Sequence, residues 1–351
     1  MEVLNLASKK RETYSVQIKH SVLWECALGI AAVTNKRLIK TLEKQMDYWE
    51  ELRKNLSEEL STDLKFVEKN NTWKTLLQLL HAKDFDTLDE FANYIENLTV
   101  TELKFISLPF VGFQYQETRQ EAAEGNKIAR GTLKKLTCDN PFFPSYIDFI
   151  GKEDGQLLKE HLIRVMTRWY QEVVESELKK VSEILEVDSN SKKHMAEKMC
   201  SEEFVEWATG GITYLPEPSV NEVLLIPQFV YRPWNIEADL EGTKVFYYPV
   251  ANESITPDDR YTPNHNLVLK YKALGDEARM RLVKLLYEAD RSLQDITEQL
   301  DIGKSTIHHH LKILRSAKLV GMNGSKYSLK KRSIELLSKE IYMYLDNGKS
   351  K

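Results

Sequence analysis

The sequence predicts a mainly α-helical protein with small β elements, which belongs to the α+β class. Apolar residues recur at helical spacing over most of residues 21–208, and runs of β-branched and aromatic residues lie mainly at 212–250. Helical spacing returns after residue 266. Because 351 residues are too many for one small core, we expect two domains. We place a mainly helical regulatory and dimerisation domain with a few strands at 1–260, and a second domain at 266–351.

The first domain opens with a short alternating stretch and continues with helices. Residues 14–20 alternate in polarity, as a strand does, and Ser21 can cap the helix that follows. Residues 141–149 are aromatic and punctuated by prolines, which predicts a loop. Beyond the first helix, helical spacing predicts further helices at 38–60, 73–81, 86–97, 117–136, 155–186 and 192–208.

Three strands are predicted near the end of this domain, at residues 223–227, 229–233 and 244–249. Their β-branched and aromatic residues are bounded by proline and glycine. Proline cannot donate to a ladder, so the prolines predict edge strands. Residues 251–265 are polar and contain two prolines, which predicts a linker.

Composition favours a soluble globular protein without metal or cofactor. No apolar run reaches the ~18 residues of a membrane span, and residues 1–11 lack the apolar segment of a signal peptide. We therefore expect a cytoplasmic protein with no membrane partner. Cys26, Cys138 and Cys200 are too sparse for a disulfide framework and lack the close spacing of zinc ligands. We expect ordinary thiols.

Charge is distributed unevenly along the chain, whose net charge is −4. Residues 262–351 contain 17 Lys and Arg and 10 Asp and Glu, a net charge of +7. Residues 1–261 contain 32 and 43, a net charge of −11. A basic segment attached to an acidic body is what phosphate binding by one end of a protein requires.

The second domain begins with three predicted helices. The first places Leu274, Leu282 and Leu285 at helical spacing, and Ser292 can cap a second helix at 293–300. A tight turn follows, in which Gly303 supplies backbone freedom. The third helix is predicted from about Lys304 to Ala317, with Ile307, Leu311 and Leu314 on one side.

The opposite side of the third helix is polar and basic. The major groove of DNA admits such a helix, and base edges accept hydrogen bonds from such side chains. We predict that Lys304, Ser305, Thr306, His308 and His309 approach bases or nearby phosphates. Lys312, Arg315, Lys326 and Lys330 are predicted to hold the phosphate backbone. Adjacent residues on a helix point ~100° apart, so His308, His309 and His310 cannot converge on one metal ion.

A hairpin and a last helix complete the domain. Asn323-Gly324 is a strong signal for a two-residue hairpin turn between short strands. Ser333 then begins a helix with an apolar stripe, for which dimerisation and packing against its own domain remain two open interpretations. The stripe consists of Ile334, Leu337, Ile341 and Leu345.

Three segments, residues 274–286, 305–320 and 327–329, carry a family resemblance. Together they resemble the ArsR (arsenic-repressor) type winged helix-turn-helix family over roughly the last 80 residues. The resemblance implies a DNA-binding transcription regulator, often a repressor, that binds inverted-repeat operators as a homodimer. The family usually has Ser or Thr where Gly303 stands. Metal-sensing relatives carry cysteines in the helix that matches 293–300, or Asp and His pairs on the last helix; this chain has no Cys in the first and no His in the second.

Two interpretations compete for the first domain. Its tryptophans and other aromatic residues build a core and a dimer interface, or some line a cavity for a small effector, for which 105–113 and 140–149 are the candidate lining. We expect no enzyme, because the sequence has no phosphate loop, nucleophile elbow or His-Glu-x-x-His pattern. Alternatives are a winged helix that binds protein as an adaptor, and an enzyme fused to a DNA reader.

Overall fold

The computed structural model describes residues 14–197, 199–256, 259, 261 and 263–346. The chain divides into two compact units. We use the name sheet unit for the described residues of 12–193 and 216–250, and the name wing unit for those of 194–215 and 251–351. No helix among the described residues combines the length and the apolar content needed to cross a membrane.

The sheet unit is mainly helical, as predicted. Ser21 caps the first helix by accepting a hydrogen bond from the Leu23 amide at 3.2 Å. The helices are α1 (Val22–Thr34), α2 (Met46–Asn55), α3 (Glu58–Asn70), α4 (Trp73–Ala82), α5 (Leu88–Asn97), α6 (Val100–Ser107), α7 (Gln116–Ala123), α8 (Lys127–Leu136), α9 (Phe143–Lys152), α10 (Gly155–Trp169) and α11 (Leu178–Ala196).

Several predicted helix boundaries were wrong, each for a local reason. The predicted helix at 38–60 is interrupted because Ser57 caps a new helix, α3, through the Leu60 amide. The predicted loop at 141–149 contains most of α9, because Pro144 lies in the first turn, where its missing N–H costs no hydrogen bond. The predicted helix at 117–136 is two helices, since Gly125 has φ +102° and Asn126 caps α8.

Four strands form one mixed sheet: β1 (Ser15–Ile18), β2 (Glu222–Gln228), β3 (Ile236–Leu240) and β4 (Thr243–Pro249). The order is β1-β2-β4-β3, with β1, β2 and β4 parallel and β3 antiparallel to β4. The strand predicted at 229–233 is a turn, and β3 lies further along the chain. β2 is central although it contains Pro227. The proline is tolerated because β1 pairs with β2 only as far as Leu225.

The core of the sheet unit is one cluster of helix and sheet side chains. Its largest fully buried members include Trp49, Trp169 and Tyr247. The approach of α1 to α10 is close, because a Cβ at Gly29 would lie 2.9 Å from the Trp169 ring. The helices and strands of the sheet unit therefore pack around one interior that is rich in aromatic residues.

The wing unit joins a short upstream helix to the C-terminal residues. Residues 194–215 pack with it, although the sequence assigned them to the first domain. One of the contacts is a hydrogen bond that apolar periodicity cannot reveal: Ser333 donates to Glu206 at 2.7 Å. The elements are α12 (Ser201–Ala208), α13 (Asn252–Ile255), α14 (His265–Leu274), α15 (Glu277–Glu288), α16 (Leu293–Leu300), α17 (Lys304–Ser316), β5 (Val320–Asn323), β6 (Lys326–Leu329), α18 (Lys331–Glu335) and α19 (Leu337–Asp346).

A buried carboxylate ties α1 to the loop that follows β2. Glu25 is 6% exposed, and its two oxygens accept hydrogen bonds from the amides of Phe229 at 2.5 Å and Val230 at 3.0 Å. Burial raises the pKa of Glu25 to about 7, because removal from water disfavours the ionised form more than the two amides favour it. The folded protein therefore binds this proton more tightly than the unfolded chain.

We expect this proton to make stability depend on pH. A raised carboxyl pKa in the folded state contributes stability below the unfolded value of 4.5, and that stability is lost as the pH rises through about 7. Between pH 5 and pH 8, the wild type should lose about 2–3 kcal/mol of unfolding free energy relative to Glu25→Gln. Urea unfolding followed by tryptophan fluorescence measures the difference. The control is Glu50→Gln, an exposed position on α2. A difference that stays constant over this range would contradict the assignment.

Candidate nucleic-acid interface

Helix α16 is held at both ends by residues of its own segment. Ser292 and Asp295 form a capping box, with the Asp295 amide 3.2 Å from the Ser292 hydroxyl and the Ser292 amide 3.0 Å from the Asp295 carboxylate. These bonds lower the pKa of Asp295. The helix ends at Leu300, and its C-cap residue, Asp301, adopts the left-handed conformation with φ +53°. The left-handed residue of the turn is therefore Asp301 and not Gly303, which has φ −53°.

Helix α17 is anchored through one face. Ile307, Leu311 and Leu314 are at most 1% exposed and belong to the core of the wing unit, together with Leu282, Leu286 and Ile296 of the two preceding helices. Burial of three such side chains contributes on the order of 5 kcal/mol, since each is worth ~1.5–3 kcal/mol. The exposed face of α17 therefore has a fixed direction relative to the two preceding helices.

A two-stranded wing follows α17, as predicted. β5 and β6 are antiparallel, and Asn323 pairs with Lys326. The loop is therefore Gly324-Ser325, one residue later than predicted, with φ +59° at Gly324. Tyr327 exchanges two backbone hydrogen bonds with Arg291, at 2.7 and 3.0 Å. This bridge fixes the wing to the connection between α15 and α16.

Eight of the nine predicted contact residues share the exposed surface of α17 and the wing, and one does not. The exception is Lys330, which is half-buried and donates a hydrogen bond to the carbonyl of Gly211. Burial lowers the pKa of Lys330. The exposed residues are Lys304, Ser305, Thr306, His308, His309, Lys312, Arg315 and Lys326.

The sequence did not single out Lys318, which the structure places next to Lys330. Its ammonium lies 3.4 Å from the carbonyl of Thr209, and burial lowers its pKa to about 8. Gly211 approaches so closely, at φ +118°, that a Cβ there would lie 2.8 Å from Lys318. In the sequence, Lys318 is marked only by its position three residues after Arg315 and two residues before the first strand of the wing.

The terminal helix α19 is fixed to α14 by a buried ion pair. Lys270 and Glu340 are 2.6 Å apart, and both side chains are at most 10% exposed. The predicted apolar stripe is divided, because Leu337 is buried while Leu345 is 60% exposed. Next to Leu345, Tyr342 is 66% exposed. The open end of α19 therefore presents apolar surface.

The two segments proposed as an effector lining meet in the sheet unit. The hydroxyl of Tyr146 donates to the carbonyl of Ser107 at 2.9 Å and contacts Thr75 at 2.8 Å. Phe149 packs edge-on against Phe66, with ring centroids 5.7 Å apart. These groups are engaged with one another and with the core.

The three consecutive histidines have different surroundings. His308 and His309 are exposed, whereas His310 is half-buried. The rings of His309 and His310 lie 6.1 Å apart. The described parts of the chain contain no group of three or more His, Cys, Asp or Glu side chains that could hold a metal ion.

Comparison with known proteins concerns this part of the chain. The family model described as bacterial regulatory protein, arsR family, matches residues 276–321, from the cap of α15 into β5. The transcriptional repressor SdpR of Bacillus subtilis (strain 168) is 38% identical over 50 residues, 14% of this chain. The C-terminal segment is an ArsR-type helix-turn-helix. The similarity spans 56% of the length of SdpR, about half of that relative. No solved structure matches the chain.

The ArsR-type helix-turn-helix of this chain lacks a side-chain cap on α17. Gly303 occupies the N-cap position, with φ −53° and ψ 140° and no side chain to accept a hydrogen bond from the first turn. A Cβ at this position would meet no atom within 4 Å. A serine is therefore compatible with both the backbone and the space.

We expect Gly303→Ser to stabilise the first turn of α17. The serine hydroxyl can accept from the Ser305 or Thr306 amide, which is worth about 1 kcal/mol relative to alanine. The matched control is Gly303→Ala, which adds the Cβ without the hydroxyl. Amide hydrogen exchange in the first turn should be about fivefold slower in the serine variant than in the alanine variant. Equal exchange rates in the two variants would show that the serine hydroxyl does not stabilise the first turn of α17.

Proposed function

We propose that this chain is a DNA-binding transcription regulator that inserts α17 into the major groove. One observation carries the proposal: α17 buries Ile307, Leu311 and Leu314 while its opposite face is exposed. That exposed face is polar and positively charged, and it contains no acidic residue between Lys304 and Arg315. The fold of the segment and its match to a bacterial regulatory family support the same function.

The proposed site residues form two groups, according to the part of the DNA that each can contact. Those of the first turns, Lys304, Ser305, Thr306, His308 and His309, approach base edges or the nearest phosphates. Lys312 and Arg315 of the later turns, together with Lys326 at the wing, reach phosphates. Lys330 is not counted among the exposed cations of this group, because it is half-buried and its ammonium is bound to the carbonyl of Gly211.

We further propose that the regulator is a homodimer on an inverted-repeat operator and acts as a repressor in the cytoplasm. The open apolar end of α19, with Tyr342 and Leu345, supports dimerisation through a second copy of this chain. The matched relative is a transcriptional repressor, which supports the direction of regulation. The sheet unit is then the regulatory part, and a small-molecule effector would act through it.

Binding of DNA should depend steeply on salt. Four exposed cations per chain, Lys304, Lys312, Arg315 and Lys326, give eight per dimer. If each neutralises a phosphate, the logarithm of affinity should fall with the logarithm of salt with a slope of about −7. The affinity for labelled duplex is measured by fluorescence anisotropy at KCl concentrations from roughly 50 to 200 mM. Affinity that does not change with salt would contradict the proposal.

Two variants separate base reading from backbone contact. We expect His309→Ala to weaken binding of a selected high-affinity duplex by about 1–3 kcal/mol and to leave random duplex unchanged, because a lost base contact affects only the matching sequence. Lys326→Ala should weaken both duplexes alike and lower the salt slope by about two per dimer. The duplex is chosen beforehand by selection from a random library. Equal losses on both duplexes for His309→Ala would make His309 a backbone contact.

Dimerisation is tested on α19. We expect Leu345→Lys to shift the chain toward monomer and to weaken operator binding, because it places a charge in the proposed apolar interface. The control is Lys339→Gln, an exposed position on another side of the same helix. Sedimentation velocity measures the oligomeric state. A dimer that persists in Leu345→Lys would remove α19 from the interface.

A further inference from the structure

A cleft with basic walls lies between the end of α17 and the base of the wing. Its volume is about 430 Å³, within the range of ~300–1,000 Å³ that is usual for small-ligand sites. Four of the eight lining residues are cationic, and none of the eight is acidic. The lining residues are Lys312, Arg315, Ser316, Lys318, Val320, Gly321, Met322 and Lys330.

The four cations form a rim and a floor. Lys312 and Arg315 are exposed on α17 and form the rim. Lys318 and Lys330 form the floor, where their ammonium groups contact the carbonyls of Thr209 and Gly211. Those two carbonyls follow the end of α12, so the floor is held by backbone that belongs to the same unit. The positions of both lysines are therefore set before any ligand binds, because each ammonium is hydrogen-bonded to a backbone carbonyl.

The positive charge of the floor is only partly compensated. Burial, followed by the repulsion of nearby lysines, lowers the pKa of Lys318 to about 8. Glu206 is the acidic residue that acts on Lys330, but one of its oxygens is occupied by the hydroxyl of Ser333 and the residue is 3% exposed. An anion in the cleft would relieve the repulsion between the lysines.

We propose that this cleft binds phosphate groups. Lysine and arginine are the side chains that hold phosphate oxygens by charge-assisted hydrogen bonds, and four of them surround one cavity. The cavity is several times larger than one phosphate needs, so it suits two or more linked phosphates. Val320 and Met322 add an apolar wall on which the organic part of a phosphorylated molecule can lie.

Two sources can supply linked phosphates to the cleft. One is the backbone of the DNA bound by α17, and this case rests on the proposed function, since the rim residues Lys312 and Arg315 continue the exposed face of that helix. The other is a free polyphosphate, such as pyrophosphate or a nucleoside polyphosphate, which would occupy the cleft while DNA stays bound to α17. The phosphate chemistry is the same in both cases.

Calorimetric titration of the full-length chain with pyrophosphate tests the site without any DNA. We expect pyrophosphate to bind, and Lys318→Gln to weaken that binding about tenfold through loss of one charge-assisted contact. The control is Lys272→Gln, an exposed lysine of the same unit that does not line the cleft. Sodium sulfate at equal ionic strength separates phosphate recognition from screening. If Lys318→Gln lowers the melting temperature, the doubly substituted rim variant Lys312→Gln/Arg315→Gln replaces it, since both side chains are exposed.

A second arm identifies the source of the phosphates. Displacement of duplex by pyrophosphate beyond the effect of sulfate, lost in Lys318→Gln, would place DNA phosphates in the cleft. Pyrophosphate binding without displacement would make the cleft a site for a free polyphosphate. Absence of pyrophosphate binding, or binding that neither floor nor rim substitutions change, would overturn the proposal. Because the calorimetric arm contains no DNA, failure of the chain to bind duplex would count against the proposed function alone.

Discussion

The exposed basic face of α17 depends on the burial of its opposite face. A helix of 13 residues with histidines and lysines along one side has little reason to be stable alone, since isolated helices of that length are marginal in water. Ile307, Leu311 and Leu314 supply the missing stability by packing against α15 and α16. Apolar burial therefore determines where the charges of the exposed basic face point, although the three buried side chains take no part in that face.

The wing depends on a different kind of contact. Arg291 pairs with Tyr327 through backbone hydrogen bonds, and Lys318 and Lys330 hold the wing base to residues 209–211. Buried cations are costly to desolvate, so their ammonium groups are placed on carbonyl oxygens. The same arrangement concentrates positive charge beneath the cleft. A structural contact and a candidate binding surface thus share the same two lysines.

In the sheet unit, polar groups inside the core are bound by ion pairs or hydrogen bonds. Asp63 is 4% exposed and is bound by Arg164 at 2.9 Å and by Arg168 at 2.8 Å. Glu25 is instead bound by two backbone amides, and burial raises its pKa because these amides offset only part of the desolvation. His81 is half-buried beside Tyr247, with 2.6 Å between the ring nitrogen and the hydroxyl, and its partial burial lowers its pKa to about 4.

Local chemistry in the sequence determined the helix-turn-helix segment. The Ser292 cap and the apolar spacing of α15, α16 and α17 are visible as local patterns, so the fold class and the ArsR resemblance followed from the sequence, and eight of the nine residues predicted to contact DNA are exposed. Tertiary structure alone decided the rest. Hydrogen bonds between residues more than 100 positions apart join Glu206 to Ser333, Lys318 to Thr209 and Lys330 to Gly211. Such contacts leave no periodic pattern, because a single hydrogen bond to a backbone carbonyl places no constraint on the neighbouring residue types.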